Sequence, residues 1–260
     1  MTIPDKKATD RSSLLARLDG VIGLDLTVTA TRHHTPSLLE ISLHGDDLIG
    51  LEVGAGQDIM VEVPVGNAQF VRRRYSIVDF SPTTGTMSLL IALKGTGSGE
   101  AWALALQAGD VLDAVGPRGK QPVSTQATTH LFIADHSAVA ATSQMIRSIE
   151  FGHVHVVASF PTSQDVVSFA AREPSVKVSV TALSPVDHGD VQPFLDCLSA
   201  FEDDLFRSEG LQCYLNAEFS MVNTTKALLL ERGVSPAAIA TKAYWRRNKS
   251  NAPHGEPIKD

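Results

Sequence analysis

The sequence predicts a β barrel followed by a doubly wound α/β unit, and three observations carry that expectation. Apolar residues alternate with polar ones from Leu24 to about Gln121, a polar stretch runs over 124–129, and continuous apolar runs separated by helical segments follow it. A half-buried antiparallel strand reads as alternation because successive side chains point to opposite faces, whereas a strand covered on both faces is apolar throughout. The change of period near Pro122 therefore divides the chain into two units, 20–122 and 128–250.

The first strand falls at 24–30, where Leu24, Leu26, Val28 and Ala30 lie between Asp25, Thr27 and Thr29. The second, at 39–43, sets Leu39, Ile41 and Leu43 around Glu40 and Ser42. Shorter runs at 59–63, 75–78, 87–93 and 111–115 supply the rest, punctuated by Gly45, Gly54-Ala55-Gly56, Pro82, Gly85 and Gly116-Pro117. Six short strands with turn signals between them make a small six-stranded antiparallel barrel. One helix at 100–107 interrupts them, reached through Gly95-Thr96-Gly97-Ser98-Gly99. In the second unit strands are expected at 131–134, 154–159, 178–182, 211–215 and 241–245, with helices at 137–149, 191–203 and 221–232. Ser220 would cap the last helix and Gly233 stop it. Strand alternating with helix means a parallel sheet whose ligand crevice lies at the carboxyl ends of the strands.

Composition bounds the function. With 43% hydrophobic and 20% charged residues in 260, the chain is globular, long enough for two ordinary domains. Its 22 basic and 29 acidic residues leave −7, a sign that opposes nucleic acid and anionic membrane surfaces unless positive charge is gathered locally. Two cysteines without CxxC spacing argue against a disulfide framework or a thiolate zinc site, and a reducing cytoplasm fits. No run approaches about 20 apolar residues, so no membrane span is expected. The pair His153-x-His155 shares a strand face without a nearby carboxylate or thiolate, which leaves no metal site to assign.

Four segments can carry chemistry. On the fourth barrel strand, Arg72-Arg73-Arg74-Tyr75-Ser76 sends Arg73 and Tyr75 to one face and Arg74 and Ser76 to the other. There a tyrosine can stack on a flavin ring, a serine can hydrogen-bond a ring heteroatom and an arginine can hold a phosphate by its planar fork; a basic edge strand with a core tyrosine reads the same way. The glycine turn Lys94 to Glu100 offers a helix N-terminus to a pyrophosphate, or to Glu100 itself. The turn Ala134-Asp135-His136-Ser137-Ala138 follows the first parallel strand but lacks the glycines of a dinucleotide fingerprint. Last, Tyr244-Trp245-Arg246-Arg247-Asn248-Lys249 ends the fifth parallel strand with aromatics and cations. With Arg72 to Arg74, Lys94, Arg118 and Lys120 it would make one positive pocket suited to a bulky anion. No nucleophile elbow or kinase signature is present, and no catalytic acid or base is assigned.

The order Arg73-x-Tyr75-Ser76, glycine turn before Trp102-Ala103, Gly109-Asp110, Gly116-Pro117-x-Gly119, Asp135-x-Ser137-Ala138 and Tyr244-Trp245-Arg246 resembles the siderophore-interacting proteins from about Leu24 to Lys249. These are flavin-dependent ferric-siderophore reductases of the ferredoxin-reductase superfamily. The resemblance implies FAD held by Arg73, Tyr75, Ser76, Lys94, Gly97, Ser98, Gly99 and Trp102, with Ser137 and Trp245 completing the set. It implies an anionic ferric siderophore as substrate, for which Lys94, Arg118, Arg246, Arg247 and Lys249 are the candidate cations. Electrons would pass from a donor to FAD and then singly to Fe(III), with no general base. Several positions depart from the family pattern: Lys94 stands for a histidine, Ser98-Gly99-Glu100 for Pro-Ala-Ser, His136 for a glutamate, Ala140 for a proline and Ala243 for a glycine. They leave NADH, NADPH and ferredoxin open as donors. A general flavin or ferric reductase, or a flavin-binding partner protein without turnover, would share the same flavin site.

Overall fold

The computed structural model describes residues 22–65, 69–95, 97–119, 121–170, 176–183 and 190–247. Six strands, β1 (Gly23–Thr35), β2 (Leu38–His44), β3 (Asp58–Val65), β4 (Gln69–Ser81), β5 (Thr86–Ala92) and β6 (Val111–Arg118), close into an antiparallel barrel in the order β1-β2-β5-β4-β3-β6. The alternation read from the sequence is the alternation of the wall: Leu24, Leu26 and Val28 on β1 are buried while their neighbours are exposed. The inward set, with Ile41, Leu43, Ile59, Val61, Ile77, Leu89 and Leu112, forms one core, closed at an end by Ala103 and Leu106 from and just beyond helix α1 (Ser98–Ala105). That helix begins two residues before the expected start, directly on the glycine turn.

Five parallel strands follow: β7 (Thr129–Ala134), β8 (His153–Ser159), β9 (Lys177–Leu183), β10 (Leu211–Glu218) and β11 (Ile239–Trp245), in the order β11-β10-β7-β8-β9. Helices α2 (Val139–Arg147), α3 (Ser163–Ala170), α4 (Gln192–Ser199), α5 (Asp203–Phe206) and α6 (Phe219–Glu231) cover its two faces. Three differences from the sequence reading have local causes. Helix α3 was not expected, and its Asp165 explains it: the carboxylate caps Thr162 and is anchored by barrel hydroxyls, a tertiary contact with no local signature. The expected helix at 191–203 breaks into α4 and α5. Helix α6 is capped by Glu218, whose carboxylate accepts from the Ser220 and Met221 amides, and not by Ser220. Gly233, at φ 91°, does stop that helix, as a residue without Cβ can. Among the described residues no helix is long and apolar enough to cross a membrane.

The barrel rests on the α2 side of the sheet. Leu38, Val78 and Leu90 of the barrel share one core with Phe132, Met145, Ile146, Val154 and Tyr214, while Phe194, Leu198, Met221 and Leu229 make a separate core on the other face. Polar ties cross the same seam. Gly56 N donates to Gln144 Oε1 at 2.8 Å, and Arg147 donates to Asp79 Oδ1 at 2.6 Å and to the Val78 carbonyl. Lys242 Nζ on β11 reaches Asp58 Oδ2 on β3 at 3.0 Å, and Arg74 Nε on β4 takes Asp58 Oδ1 at 2.8 Å.

A fourth tie is sensitive to acid. Thr35 and Ser37 hydroxyls each donate to Asp165 Oδ1 at 2.5 Å, and His136 Nε2 donates to the Ser37 carbonyl at 2.9 Å. Burial alone would raise the Asp165 carboxyl, but the hydroxyls of Ser37, Thr35 and Thr162 more than offset it and hold it below its ordinary 3.8. Burial pushes His136 below its ordinary 6.5, against the pull of the Ser37 carbonyl, and buried His130 is lowered for the same first reason. A depressed folded value means stability that is present above the unfolded value and lost as pH falls. The thermal midpoint should therefore hold above 6.5 and decline below it as the buried histidines are forced to charge. It should fall again below about 4 as Asp165 protonates. Differential scanning fluorimetry against pH checks this, and His136→Gln should flatten the upper part of the decline. An unaltered slope in that variant would remove His136 from the account.

Candidate functional site

Strand β4, the glycine turn and the start of helix α1 build the first half of the site. Tyr75 on β4 and Trp102 on α1 lie with ring centroids 5.5 Å apart at 17°. Tyr75 Oη donates to the Gly99 carbonyl at 3.2 Å, and Arg73 Nη2 donates to Ser98 Oγ at 3.4 Å. Burial pushes the Tyr75 phenol well above its ordinary 10.0, with the Arg73 charge opposing. Gly99 is required by this packing: a Cβ there would stand 2.8 Å from Tyr75 Oη and 3.5 Å from Arg73 Cγ. Gly97, at φ 111°, has nothing within 4 Å of an added Cβ, so the turn before the helix is open on its outer side. Ser76 is buried on the opposite face of β4, across from Asp58 in the β3 register.

Glu100 turns back on the glycine turn. Its carboxylate accepts from Lys94 N at 2.7 Å and Gly95 N at 3.1 Å, so those two amides serve the protein itself. The first-turn amides of α1 have no acceptor within the helix, as at any helix start. A guanidinium, a serine hydroxyl and helix N-terminal amides make a donor set that fits a pyrophosphate, and the Tyr75–Trp102 pair gives a flat apolar wall. The residues present therefore fit FAD.

The second half comes from the sheet. Lys94 Nζ sits 3.7 Å from the centroid of the Trp245 ring, a cation over an aromatic face. Trp245 Nε1 donates to Asp135 Oδ2 at 2.8 Å, and Ser137 gives both its amide and its hydroxyl to Asp135 Oδ1. Burial lowers the Lys94 ammonium, opposed by the charges of Asp135 and Glu218. Arg246 packs on Phe219, its guanidinium carbon 4.4 Å from the ring centroid, and the Arg247 amide donates to Glu218 Oε1 at 3.1 Å. Lys94 thus belongs with Trp245, Ser137, Arg246 and Arg247 at the carboxyl ends of β7, β10 and β11. Arg118 ends β6 in register with Asp58, the carboxylate that Arg74 and Lys242 hold. Lys249, with Lys120 and Thr96, lies outside the described residues.

Sequence reasoning missed Asp135 and Glu218 as organisers of this end, and Asp58 and Lys242 as its support. Asp135-x-Ser137 and Glu218-x-Ser220 share one spacing, an acid whose side chain accepts from the amide two residues on; that spacing was the available signal. Two open cavities of about 590 and 680 Å³ lie elsewhere, the first beside Gly54, Gly119 and His130 and the second beside His33, His34 and Ser163. Among the described residues no group of three or more His, Cys, Asp or Glu is placed to hold a metal ion.

Comparison with known proteins adds to this geometry. Residues 127–248 match the family model of the siderophore-interacting protein, and residues 52–121 match that of the siderophore-interacting FAD-binding domain. The ferric vibriobactin reductase ViuB of Vibrio cholerae is 24% identical over 257 residues, covering 86% of this chain and 90% of the relative. A siderophore utilization protein from T. fusca superposes with a TM-score of 0.78 at 21% identity, covering 90% of this chain and 96% of that one. The ferredoxin reductase in carbazole 1,9a-dioxygenase superposes with a TM-score of 0.67 at 22% identity, covering 86% and 70%. Barrel and parallel sheet together are a ferredoxin-reductase-like fold.

Proposed function

Because the chain belongs to the siderophore-interacting protein family, we propose that it is an FAD-dependent ferric-siderophore reductase. It takes electrons from NAD(P)H or ferredoxin and releases Fe(II) in the cytoplasm. On this reading 20–122 is the flavin unit and 128–250 the donor unit. The observation that carries it is the meeting of two segments 25 residues apart, Arg73 with Ser98 and Tyr75 with Gly99, which joins a phosphate-binding donor set to an aromatic wall.

Bound FAD supplies a centre that takes up electrons and passes them on singly. Arg73, Ser98 and the first-turn amides hold its phosphates; Gly97 and Gly99 keep the backbone close enough to do so. Tyr75 and Trp102 form the wall for its planar parts, with Ser76 backing the same strand from its opposite, buried face and Ser137 at the sheet side. Trp245 is held by Asp135 and lies against Lys94. Lys94, Arg118, Arg246, Arg247 and Lys249 draw in the anionic iron complex, concentrating positive charge on a chain of −7. The oxygen donors of a siderophore bind Fe(III) far more tightly than Fe(II), so reduction frees the metal, and no residue needs to move a proton to the substrate.

The purified protein should be yellow, or become so with FAD, and bleaching by NADH, NADPH or reduced ferredoxin should be reversed by a ferric catecholate or hydroxamate with Fe(II) trapped by a chelator. A colourless protein that refuses FAD would sink the reading. Charge reversal at Arg246 and Lys249 together should weaken ferric-siderophore affinity about tenfold at low salt, and less at high salt, where exposed charges are screened. Fluorescence quenching measures it, and an unchanged affinity would remove both cations from the substrate site.

A further inference from the structure

The seam between barrel and sheet opens into a cavity of about 590 Å³ at the amino end of β7, whereas the site described above lies at that strand's carboxyl end. Both units and the segment that joins them wall it. Gly54 and Gln57 come from before β3, Gly119 from just after β6, 121–125 from the link, His130 from β7 and 148–151 from beyond α2. The volume falls within the range of about 300–1,000 Å³ that small-molecule sites occupy. Its lining is mainly apolar, with Pro122, Val123, Ile149 and the half-exposed ring of Phe151.

Several polar side chains of the lining are already engaged. Gln57 Oε1 accepts from Gly54 N at 2.8 Å, Ser124 Oγ accepts from Ala127 N at 3.2 Å, and Ser148 Oγ donates to the Met145 carbonyl at 2.7 Å. His130 Nδ1 lies 3.3 Å from Tyr214 Oη, which accepts from Ser124 N at 2.9 Å. Gln121 differs. It is 8% exposed, and both the nitrogen and the oxygen of its carboxamide lack a hydrogen-bond partner. A buried amide left unpaired carries the desolvation cost of a donor and an acceptor, which an apolar side chain at the same place would avoid.

The carboxamide holds N–H and C=O in one plane, so an occupant that pairs both must present an acceptor beside a donor, as another amide edge does. A carboxylate would set an oxygen against Gln121 Oε1, and an amidinium would set an N–H against Nε2. Charge narrows the choice further. Among the described residues of the lining, Glu150 alone carries a formal charge at neutral pH, because burial lowers His130 although a hydrogen bond to the Ala127 backbone opposes it. Ser148 and Ile149 stand at the carbonyl end of α2, the negative end of its dipole. An anion would meet no counter-charge there. We propose that this cavity is a separate binding site for an uncharged aromatic carboxamide or lactam, whose amide edge pairs with Gln121 while its ring lies on the apolar lining. The proposal goes beyond the reductase reading and does not rest on it.

Benzamide, benzoate and benzamidine share one shape and differ in that edge, so they serve as probes of the full chain in a protein-observed NMR titration. Benzamide should shift the assigned side-chain amide of Gln121 saturably, with a dissociation constant below about 5 mM, and the other two should bind at least about tenfold more weakly. Excess FAD should leave the benzamide titration unchanged, because the cavity lies at the other end of β7. Three probes that bind alike, a Gln121 signal that none of them moves, or benzamide displaced by FAD overturns the proposal. Gln121→Leu should cut benzamide affinity at least about tenfold while the thermal midpoint holds or rises, since the variant loses an unpaired buried amide. A folded variant that binds benzamide as before also overturns it. If that variant fails to fold, the order of the three probes on the unaltered chain decides, together with Phe151→Ala at a half-exposed position, which should weaken benzamide.

Discussion

Asp58→Ala lowers the thermal midpoint by about 10 °C or more, the largest stability loss expected of any single substitution in the seam. Asp58 is 2% exposed and holds Lys242, 4% exposed, at 3.0 Å and Arg74 at 2.8 Å. Removing the carboxylate leaves the Lys242 ammonium with the Gly56 carbonyl at 3.3 Å and no counter-charge in the pair. An uncompensated buried charge costs about 3–5 kcal/mol, whereas removing Lys242 leaves Asp58 still paired with Arg74 at 2.8 Å. Lys242→Met, which leaves the Arg74–Asp58 pair in place, should therefore cost far less. Scanning calorimetry of both variants checks the asymmetry. Equal losses would mean that the carboxylate is not the hub of the three.

This hub shows where reading the sequence stops. Asp58 and Lys242 are 184 residues apart, and nothing local to either marks it as a partner. The barrel wall was legible because burial on one side imposes a period of two on every strand, and the parallel sheet because burial on both sides removes it. Fold class followed from those periods. Helix α3 was not legible, since Asp165 is fixed by Thr35 and Ser37 from the far end of the chain. The site divides in the same way. Arg73, Tyr75, Ser98, Gly99 and Trp102 meet as the strand and the glycine turn suggested. Lys94 was legible as a cation beside the glycine turn, but its contact with Trp245 was not, because that ring comes from a strand more than 100 residues further on. The charge of −7 remains a surface average, and Arg118 ends β6 in register with Asp58, which Arg74 also binds.

Arg73→Met should weaken FAD binding about 10- to 100-fold while the apo protein keeps its thermal midpoint within a few degrees, since charge-assisted hydrogen bonds contribute roughly 1.5–3 kcal/mol. The guanidinium is the strongest anion donor beside the glycine turn, where its Nη2 already reaches Ser98 Oγ at 3.4 Å. Methionine keeps most of the alkyl stem that a Cβ on Gly99 would meet at 3.5 Å, so the helix start stays supported. Gly99→Ala tests the same contact from the other side. Its Cβ would come within 2.8 Å of Tyr75 Oη, and that hydroxyl cannot yield cheaply, because its ring is stacked on Trp102 and its proton is given to the Gly99 carbonyl. The strand and the helix start must then separate. Flavin affinity should fall by at least about tenfold, a change of 1.4 kcal/mol or more. Flavin fluorescence titration measures both variants. If neither loosens FAD, the phosphates are held elsewhere and the Arg73–Gly99 junction is only the packing of a helix on a barrel.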